Sequence, residues 1–216
     1  MSQMTPSYIV VEGPIGVGKT TLARRLAEEF GSELMLEGAE ENPFLERFYQ
    51  SPKQAALATQ LYFLMQRVRQ LQSLRQGDIF NPVWMADYLI EKDRLFAKLT
   101  LDDDEFGLYE QVYASLTTDA PVPDLVIYLQ APVDVLLARI ARRGRHFERS
   151  IEPAYLTRLC EAYTEFFHRY DDAPVLIVNA SEIDLVNNEQ DFQQLLQQVK
   201  APATGRRYFN PLPFAM

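Results

Sequence analysis

The sequence has very little of the chemistry that disulfide scaffolds and metal clusters need. Its 216 residues include one cysteine and two histidines. A single cysteine excludes a disulfide framework and any cysteine-based metal site, and two histidines leave little from which to build a histidine site. Such sparse use of cysteine is typical of a cytoplasmic protein, which is the location we expect.

Long hydrophobic runs are also missing. No stretch approaches the roughly 18 consecutive apolar residues that a membrane-spanning helix needs. The first residues, MSQMTPSYIVVEG, lack the basic and apolar segments of a signal peptide. We therefore expect no membrane partner.

Positive charge is scarce, with 21 Lys and Arg against 30 Asp and Glu and a net charge of −9. A nucleic-acid-binding protein needs a broad basic face, so we expect no nucleic-acid partner. A local basic cluster would still suffice for a small anionic ligand. The length and the lack of a linker or repeat predict a single domain over residues 1–216.

Short apolar runs alternate with amphipathic helical stretches along the chain. Five strands are predicted, at residues 8–12, 33–37, 83–87, 124–131 and 175–180. Four of them are nearly continuous apolar runs, as strands buried on both faces are. The pattern predicts an α/β fold with an open, five-stranded parallel sheet and helices on both faces. Residues 202–216 are predicted to form an irregular tail.

The strongest motif is GPIGVGKT at residues 13–20, which fits the phosphate-loop pattern G-x-x-x-x-G-K-[ST] between a strand and a helix. Glycines let backbone N–H groups converge on phosphate oxygens, and the helix N-terminus adds the positive end of its dipole. Lys19 would reach the outer phosphates and the Thr20 hydroxyl would bind Mg²⁺, which predicts a site for ATP or GTP. The residues predicted to hold the nucleotide here are Gly13, Gly16, Gly18, Lys19, Thr20 and Thr21.

Arginine is concentrated in one short segment. Five of the 21 basic residues lie within eleven positions, namely Arg139, Arg142, Arg143, Arg145 and Arg149. Such a cluster is either a solvated helix end or an anion site. Beside a phosphate loop we favour the anion site, because a transferred phosphoryl group needs positive donors that mobile arginines supply on closure.

Five motifs in order resemble the deoxynucleoside kinase family, specifically its bacterial deoxyadenosine/deoxyguanosine kinase branch. They are GPIGVGKTT, LEGAEENPFLERFY, QLYFLMQRVR, ADYLIEKDRLFA and RIARRGRHFE, and the resemblance covers about residues 8–195. It implies a P-loop kinase fold with an arginine-rich lid and a homodimer. It also implies transfer of a phosphoryl group from ATP to the 5′-hydroxyl of a deoxynucleoside, with a purine as the expected base.

The resemblance also assigns substrate roles to individual residues. Glu37 matches the carboxylate near the substrate 5′-hydroxyl, and Tyr49 and Glu148 match the pair that holds the sugar 3′-hydroxyl. The residues that match base recognition are Gln60, Arg67 and Asp93. Gln60 and Arg67 are seven positions apart, so a helix brings both side chains to one face.

The remaining matches concern the phosphates and the metal. Asp87 matches the acid of the family's [DE]-R-S motif, and we expect it near Mg²⁺ with Thr20. The lid arginines that would clamp the ATP phosphates are Arg139, Arg143 and Arg145. The residues predicted to be catalytic are Lys19, Glu37, Asp87 and Arg139, and the sequence leaves open whether Glu37 or Asp87 accepts the proton.

One departure from the family pattern is clear, because Tyr88 stands where the motif has arginine. Either Arg94, a lid arginine or Lys92 supplies the missing charge at the substrate 5′ end, or catalysis is weaker or differently arranged. Two other functions therefore stay open. One is a nucleoside monophosphate kinase of the thymidylate type, and the other is a nucleotide-binding regulator without turnover.

Overall fold

The computed structural model describes residues 7–75, 83–181 and 188–210. Its strands are β1 (Tyr8–Glu12), β2 (Glu33–Met35), β3 (Trp84–Ala86), β4 (Leu125–Gln130), β5 (Val175–Asn179) and β6 (Arg206–Phe209). All six belong to one parallel sheet, in the order β2-β3-β1-β4-β5-β6. The α/β prediction with a parallel sheet is therefore confirmed.

Helices connect the strands and flank the sheet. They are α1 (Lys19–Phe30), α2 (Leu45–Gln50), α3 (Pro52–Arg75), α4 (Lys92–Thr100), α5 (Asp103–Thr117), α6 (Val133–Arg143), α7 (Pro153–Arg169) and α8 (Glu189–Lys200). Short 3₁₀ turns lie at Ala39–Glu41 and His146–Ser150. No helix within the described ranges is both long and apolar enough to cross a membrane.

The predicted number of five strands is wrong by one. Residues 206–209 form β6, which pairs in parallel with β5, whereas residues 202–216 were expected to be irregular. The sequence RRYF hides this strand because its side chains alternate between exposed and half-buried at the edge of the sheet. Residues 211–216 of the predicted tail lie outside the described residues.

Strand β1 is the centre of the fold. All five of its residues are buried, and it pairs with β3 on one side and β4 on the other. The carboxyl ends of parallel strands meet at one edge of the sheet, and open α/β sheets bind their ligands there. The phosphate loop leaves β1 at this edge, so residues that follow β2 and β3 are brought beside it.

Local sequence signals account for where several of the helices begin. Helix α3 begins with Pro52 at its first position and contains no glycine, two features that favour a long uninterrupted helix. Helix α5 begins with a capping box between Asp102 and Glu105, in which each side chain accepts from the other residue's backbone N–H. The six residues of α2 are too few to show a helical period, and the sequence did not predict this helix.

Candidate active site

A cavity of about 390 Å³ opens at the carboxyl edge of the sheet. Its size lies within the range of small-molecule sites. It runs from the phosphate loop to α3 and α4, and twelve of the sixteen predicted site residues line it. The four that do not are Gly13, Gly18, Thr21 and Arg139. The predicted residues that line it are Gly16, Lys19, Thr20, Glu37, Tyr49, Gln60, Arg67, Asp87, Asp93, Arg143, Arg145 and Glu148.

The phosphate loop depends on glycine at two positions. Gly13 has φ +150°, and a Cβ atom there would lie 2.5 Å from the Leu129 carbonyl oxygen. Gly16 has φ +85°, and its Cβ would lie 2.9 Å from the Leu136 carbonyl oxygen. Any larger residue would push the loop away from β4 and α6, so the loop keeps its shape only with these two glycines.

Lys19 lies folded over this loop. Its Nζ donates to the carbonyl oxygens of Gly13 at 2.7 Å and Pro14 at 3.3 Å. Burial lowers the pKa of Lys19 to about 8, and the nearby Lys92 acts in the same direction. An anion in the cavity would favour the charged form of Lys19, since opposite charges stabilise each other in a buried site.

Asp87 connects three elements at the edge of the sheet. Its Oδ2 accepts from the Thr20 hydroxyl at 2.5 Å, and its Oδ1 accepts from the Glu37 backbone N–H at 2.7 Å. Burial raises the pKa of Asp87, while the Thr20 hydrogen bond opposes that shift. The Thr20 and Asp87 oxygens fit a hard cation such as Mg²⁺, which prefers oxygen ligands and takes few of them from the protein.

A buried network of charges forms the far side of the cavity. The Arg67 guanidinium donates to both Glu37 and Asp93. The Lys92 ammonium lies 3.4 Å from Glu37 Oε2 and 3.6 Å from Glu12 Oε2. Buried charges need such partners, because an unpaired charge in the interior costs several kcal/mol. Ion pairs therefore connect β1, the end of β2, α3 and α4.

The remaining wall combines aromatic and polar side chains. The Gln60 amide donates to the Thr100 hydroxyl at 3.2 Å. The Tyr49 ring stacks at 6.4 Å on Phe147, and burial raises the pKa of Tyr49, so its hydroxyl keeps its proton. Glu148 is buried and accepts from Arg143. This wall therefore offers both neutral and charged hydrogen-bonding groups.

Arg142 and Arg149 of the arginine cluster do not line the cavity, and neither do Arg139 and Arg94. Arg139 donates to the carbonyl oxygens of Val17 at 3.4 Å and Ala180 at 2.7 Å, beside the phosphate loop. Arg94 is exposed and donates twice to Glu110, at 2.7 and 2.6 Å. Of the lid arginines, Arg143 and Arg145 face the cavity, and Arg145 also pairs with Glu40 at 3.1 Å.

Tyr88 lies in the core rather than at the cavity. Its side chain is fully buried, and its ring centroid is 5.7 Å from the Arg67 guanidinium carbon. Cations are stabilised over aromatic faces at such distances. Where the family motif has arginine, this chain therefore has an aromatic wall behind Arg67.

The sequence reasoning missed Glu12. This last residue of β1 has no exposed surface, and its carboxylate accepts from the backbone N–H groups of Gly13 and Leu89 and from the Tyr163 hydroxyl. A signal was present, because a glutamate ends the otherwise apolar run YIVVE directly before the phosphate loop. A carboxylate in a fully buried strand needs partners, but the sequence did not show where they come from.

Comparison with known proteins agrees with this geometry. The family model "Deoxynucleoside kinase" matches residues 9–202. The chain belongs to the deoxynucleoside kinase family. It is 38% identical over 205 residues to a deoxyguanosine kinase of Bacillus subtilis, covering 91% of this chain and 97% of that one. It is 32% identical over 205 residues to a deoxyadenosine kinase of Lactobacillus acidophilus, with 88% and 94% covered.

A solved deoxynucleoside kinase has a similar structure. Deoxyadenosine kinase from M. mycoides with bound dATP matches with a TM-score of 0.78 and 26% identity. The match covers 90% of this chain and 100% of that one. The predicted P-loop kinase fold and the bacterial branch of the family are thereby confirmed, and the protein is a kinase that phosphorylates deoxynucleosides.

Proposed function

We propose that this deoxynucleoside kinase transfers the γ-phosphoryl group of ATP to the 5′-hydroxyl of a purine deoxynucleoside. The main support is that one continuous cavity contains both the phosphate loop and the buried Arg67–Asp93 pair. A phosphate donor at Lys19 and a base at Arg67 would place the sugar between them. The names of the similar bacterial enzymes, deoxyguanosine and deoxyadenosine kinase, support a purine.

At the donor end, the loop N–H groups and Lys19 would hold the phosphates, and Arg143 and Arg145 would close over them. Arg139 would support this end by keeping the phosphate loop and the Ala180 segment together. We propose Mg²⁺ at Thr20 and Asp87, where it would neutralise phosphate charge when bound. A cytoplasmic location would give the enzyme both ATP and salvaged deoxynucleosides.

At the acceptor end, Glu37 would accept the hydrogen bond of the 5′-hydroxyl. Tyr49 and Glu148 would hold the 3′-hydroxyl, since a protonated phenol and a carboxylate supply a donor and an acceptor. Gln60, Arg67 and Asp93 would read the base edge with donors and acceptors. Phosphoryl transfer depends mainly on such positioning and on charge stabilisation, with little covalent chemistry left to the protein.

The test is an assay with purified protein, ATP and Mg²⁺, and a panel of four deoxynucleosides and their monophosphates. Product separation by chromatography should show monophosphate formed from deoxyguanosine or deoxyadenosine faster than from the pyrimidine nucleosides. Turnover of monophosphates alone would instead support a thymidylate-type kinase. Nucleotide binding without turnover of any acceptor would support a regulator.

Base recognition should depend on pH through Asp93. Burial raises the pKa of Asp93 to about 6, and Arg67 and Lys92 oppose that shift. Below this pH the carboxylate gains a proton and no longer balances Arg67. We expect kcat/KM for the deoxynucleoside to fall below about pH 6, by up to about tenfold per pH unit. In Asp93→Asn this decline should disappear, and kcat/KM should be low at all pH values. Identical acid limbs in the two proteins would contradict the role of Asp93.

We further propose a homodimer formed by α3 and α5. These helices lie side by side, and Leu116 lines a cavity between them with Val68 and Leu71. Apolar side chains on both helices remain exposed, with Met65 at 47% and Leu108 at 50% of full exposure. Exposed apolar groups on neighbouring elements are typical of protein–protein interfaces.

The dimer proposal predicts that Met65→Glu/Leu108→Glu is a monomer. Two carboxylates buried in the interface would lack partners, so the dissociation constant should rise at least about a hundredfold. Sedimentation velocity of the variant and the wild type measures the change. Tyr208→Glu on β6 is the matched control and should leave the mass unchanged. A wild type that sediments as a monomer would contradict the proposal.

A further inference from the structure

Lys92 has an unusual position for a lysine. Its side chain is 2% exposed, it lines the cavity, and its ammonium lies between the carboxylates of Glu12 and Glu37. Lysine side chains are almost never fully buried unless they are paired. Glu12 is itself fixed by Gly13, Leu89 and Tyr163, so the position of the ammonium is set from the core side.

Stability alone does not account for this arrangement. A buried ion pair recovers in attraction roughly what its desolvation costs, and apolar residues of similar volume often stabilise a protein equally well. Burial also lowers the pKa of Lys92. The charge of Lys92 lies on the wall of the cavity, directly beside Glu37. We therefore expect this charge to act on Glu37.

Within the described residues, Arg94, Arg143 and Arg145 pair with carboxylates other than Glu37. Arg94, two positions further along α4, is exposed and paired with Glu110. Arg143 and Arg145 pair with Glu148 on the opposite wall. Arg67 does contact Glu37, but its other partner is Asp93, at the end of the cavity where the base would bind. Lys92 is the cation that joins Glu37 to the start of the phosphate loop through Glu12.

We propose that Lys92 is a positioning residue for phosphoryl transfer: it holds the Glu37 carboxylate toward the 5′-hydroxyl and carries the positive charge that Tyr88 cannot supply. The inference rests on the proposed role of Glu37. Glu12 anchors the lysine and ties it to the Gly13 N–H, so that the donor loop and Glu37 keep a fixed separation. A misplaced acceptor slows transfer strongly even when both substrates still bind.

The test compares kcat and KM in two single variants at Lys92. Lys92→Gln keeps a hydrogen-bond donor for the carboxylates but removes the charge. We expect kcat to fall about a hundredfold, the usual loss when one stabilising polar group is removed from an active site. The deoxynucleoside KM should change less than about threefold, since ground-state binding is kept. Lys92→Arg restores the charge and should recover at least about tenfold of the lost kcat.

A double variant serves as the control for correct folding. The double variant Glu12→Gln/Lys92→Met removes both buried charges together, so that Glu12 is not left unpaired. Its circular dichroism spectrum should match the wild type, with kcat still about a hundredfold lower. Lys98→Met, on the exposed side of the same helix, and Arg94→Met should both keep wild-type kinetics.

The outcomes separate this inference from the proposed function. A wild-type rate in Lys92→Gln or in the double variant overturns the inference alone. The inference is also overturned if Lys92→Gln changes only the KM for the deoxynucleoside. It is overturned as well if Arg94→Met lowers kcat while Lys92→Gln does not. A wild-type protein that phosphorylates no deoxynucleoside overturns the proposed function and the role of Lys92 with it.

Discussion

Lys19→Met should lower kcat by about a thousandfold, the upper end of the loss expected when one stabilising charge is removed from an active site. The Lys19 ammonium is held over the phosphate loop by the Gly13 and Pro14 carbonyl oxygens. At the transition state, charge spreads over the oxygens of the transferred group, and a fixed cation in a buried site stabilises it strongly. Steady-state assay with saturating ATP and deoxynucleoside measures the loss.

The matched control is Lys53→Met, which removes an exposed lysine from the start of α3. Lys53→Met should keep the wild-type kcat. This result would show that the loss in Lys19→Met comes from the position of Lys19 and not from the change in net charge. Thermal unfolding should show that Lys19→Met is folded, since the ammonium donates to loop carbonyl oxygens and forms no ion pair within the described residues. An unchanged kcat in folded Lys19→Met would remove the phosphate-loop assignment.

Glu37→Gln should lower kcat by about a hundredfold to a thousandfold. The substitution keeps the shape of the side chain and its contact with Arg67 but removes the charge that would accept the hydroxyl proton. General-base contributions of this size are common. The deoxynucleoside KM should change far less than kcat, because the base and the 3′-hydroxyl keep their own partners.

Asp87→Asn is the comparison that decides between the two carboxylates. If Asp87 holds Mg²⁺ with Thr20, its loss should be partly recovered by raising Mg²⁺, while the loss in Glu37→Gln should not respond. A near-normal kcat in Glu37→Gln, with a Mg²⁺-independent loss in Asp87→Asn, would assign the proton to Asp87 instead. Rates measured over a Mg²⁺ titration distinguish these results.

The parts of the fold that local sequence encodes were predictable. Apolar runs located five of the six strands, and the GPIGVGKT pattern located the loop after β1, because both signals lie within a few residues. Strand β6 was missed because an edge strand buries only half of its side chains, so RRYF shows no continuous apolar run. The order of the strands, which brings the ends of β2 and β3 beside β1, depends on pairing between distant segments. No local sequence pattern predicts this order.

The candidate site, like the fold, was predictable only in part. Gln60, Arg67 and Asp93 were predicted from the resemblance, and the structure brings them to one cavity. The choice between Lys92 and Arg94 was open in sequence, since the two lie on one short helix. Two positions along a helix turn a side chain well away from its neighbour's direction, and only packing decided that Lys92 faces the cavity. Glu12 was missed because its partners, Leu89 and Tyr163, are far away in the chain.

The most direct test of the central claim follows the phosphoryl group itself. Wild-type protein is incubated with Mg²⁺, deoxyguanosine and ATP labelled at the γ-phosphate, and the products are separated and identified by ³¹P NMR. The account predicts label on the 5′-oxygen of deoxyguanosine monophosphate, formed in equal amount with ADP. Release of the label as inorganic phosphate, or its transfer only to an added nucleoside monophosphate, would contradict the account.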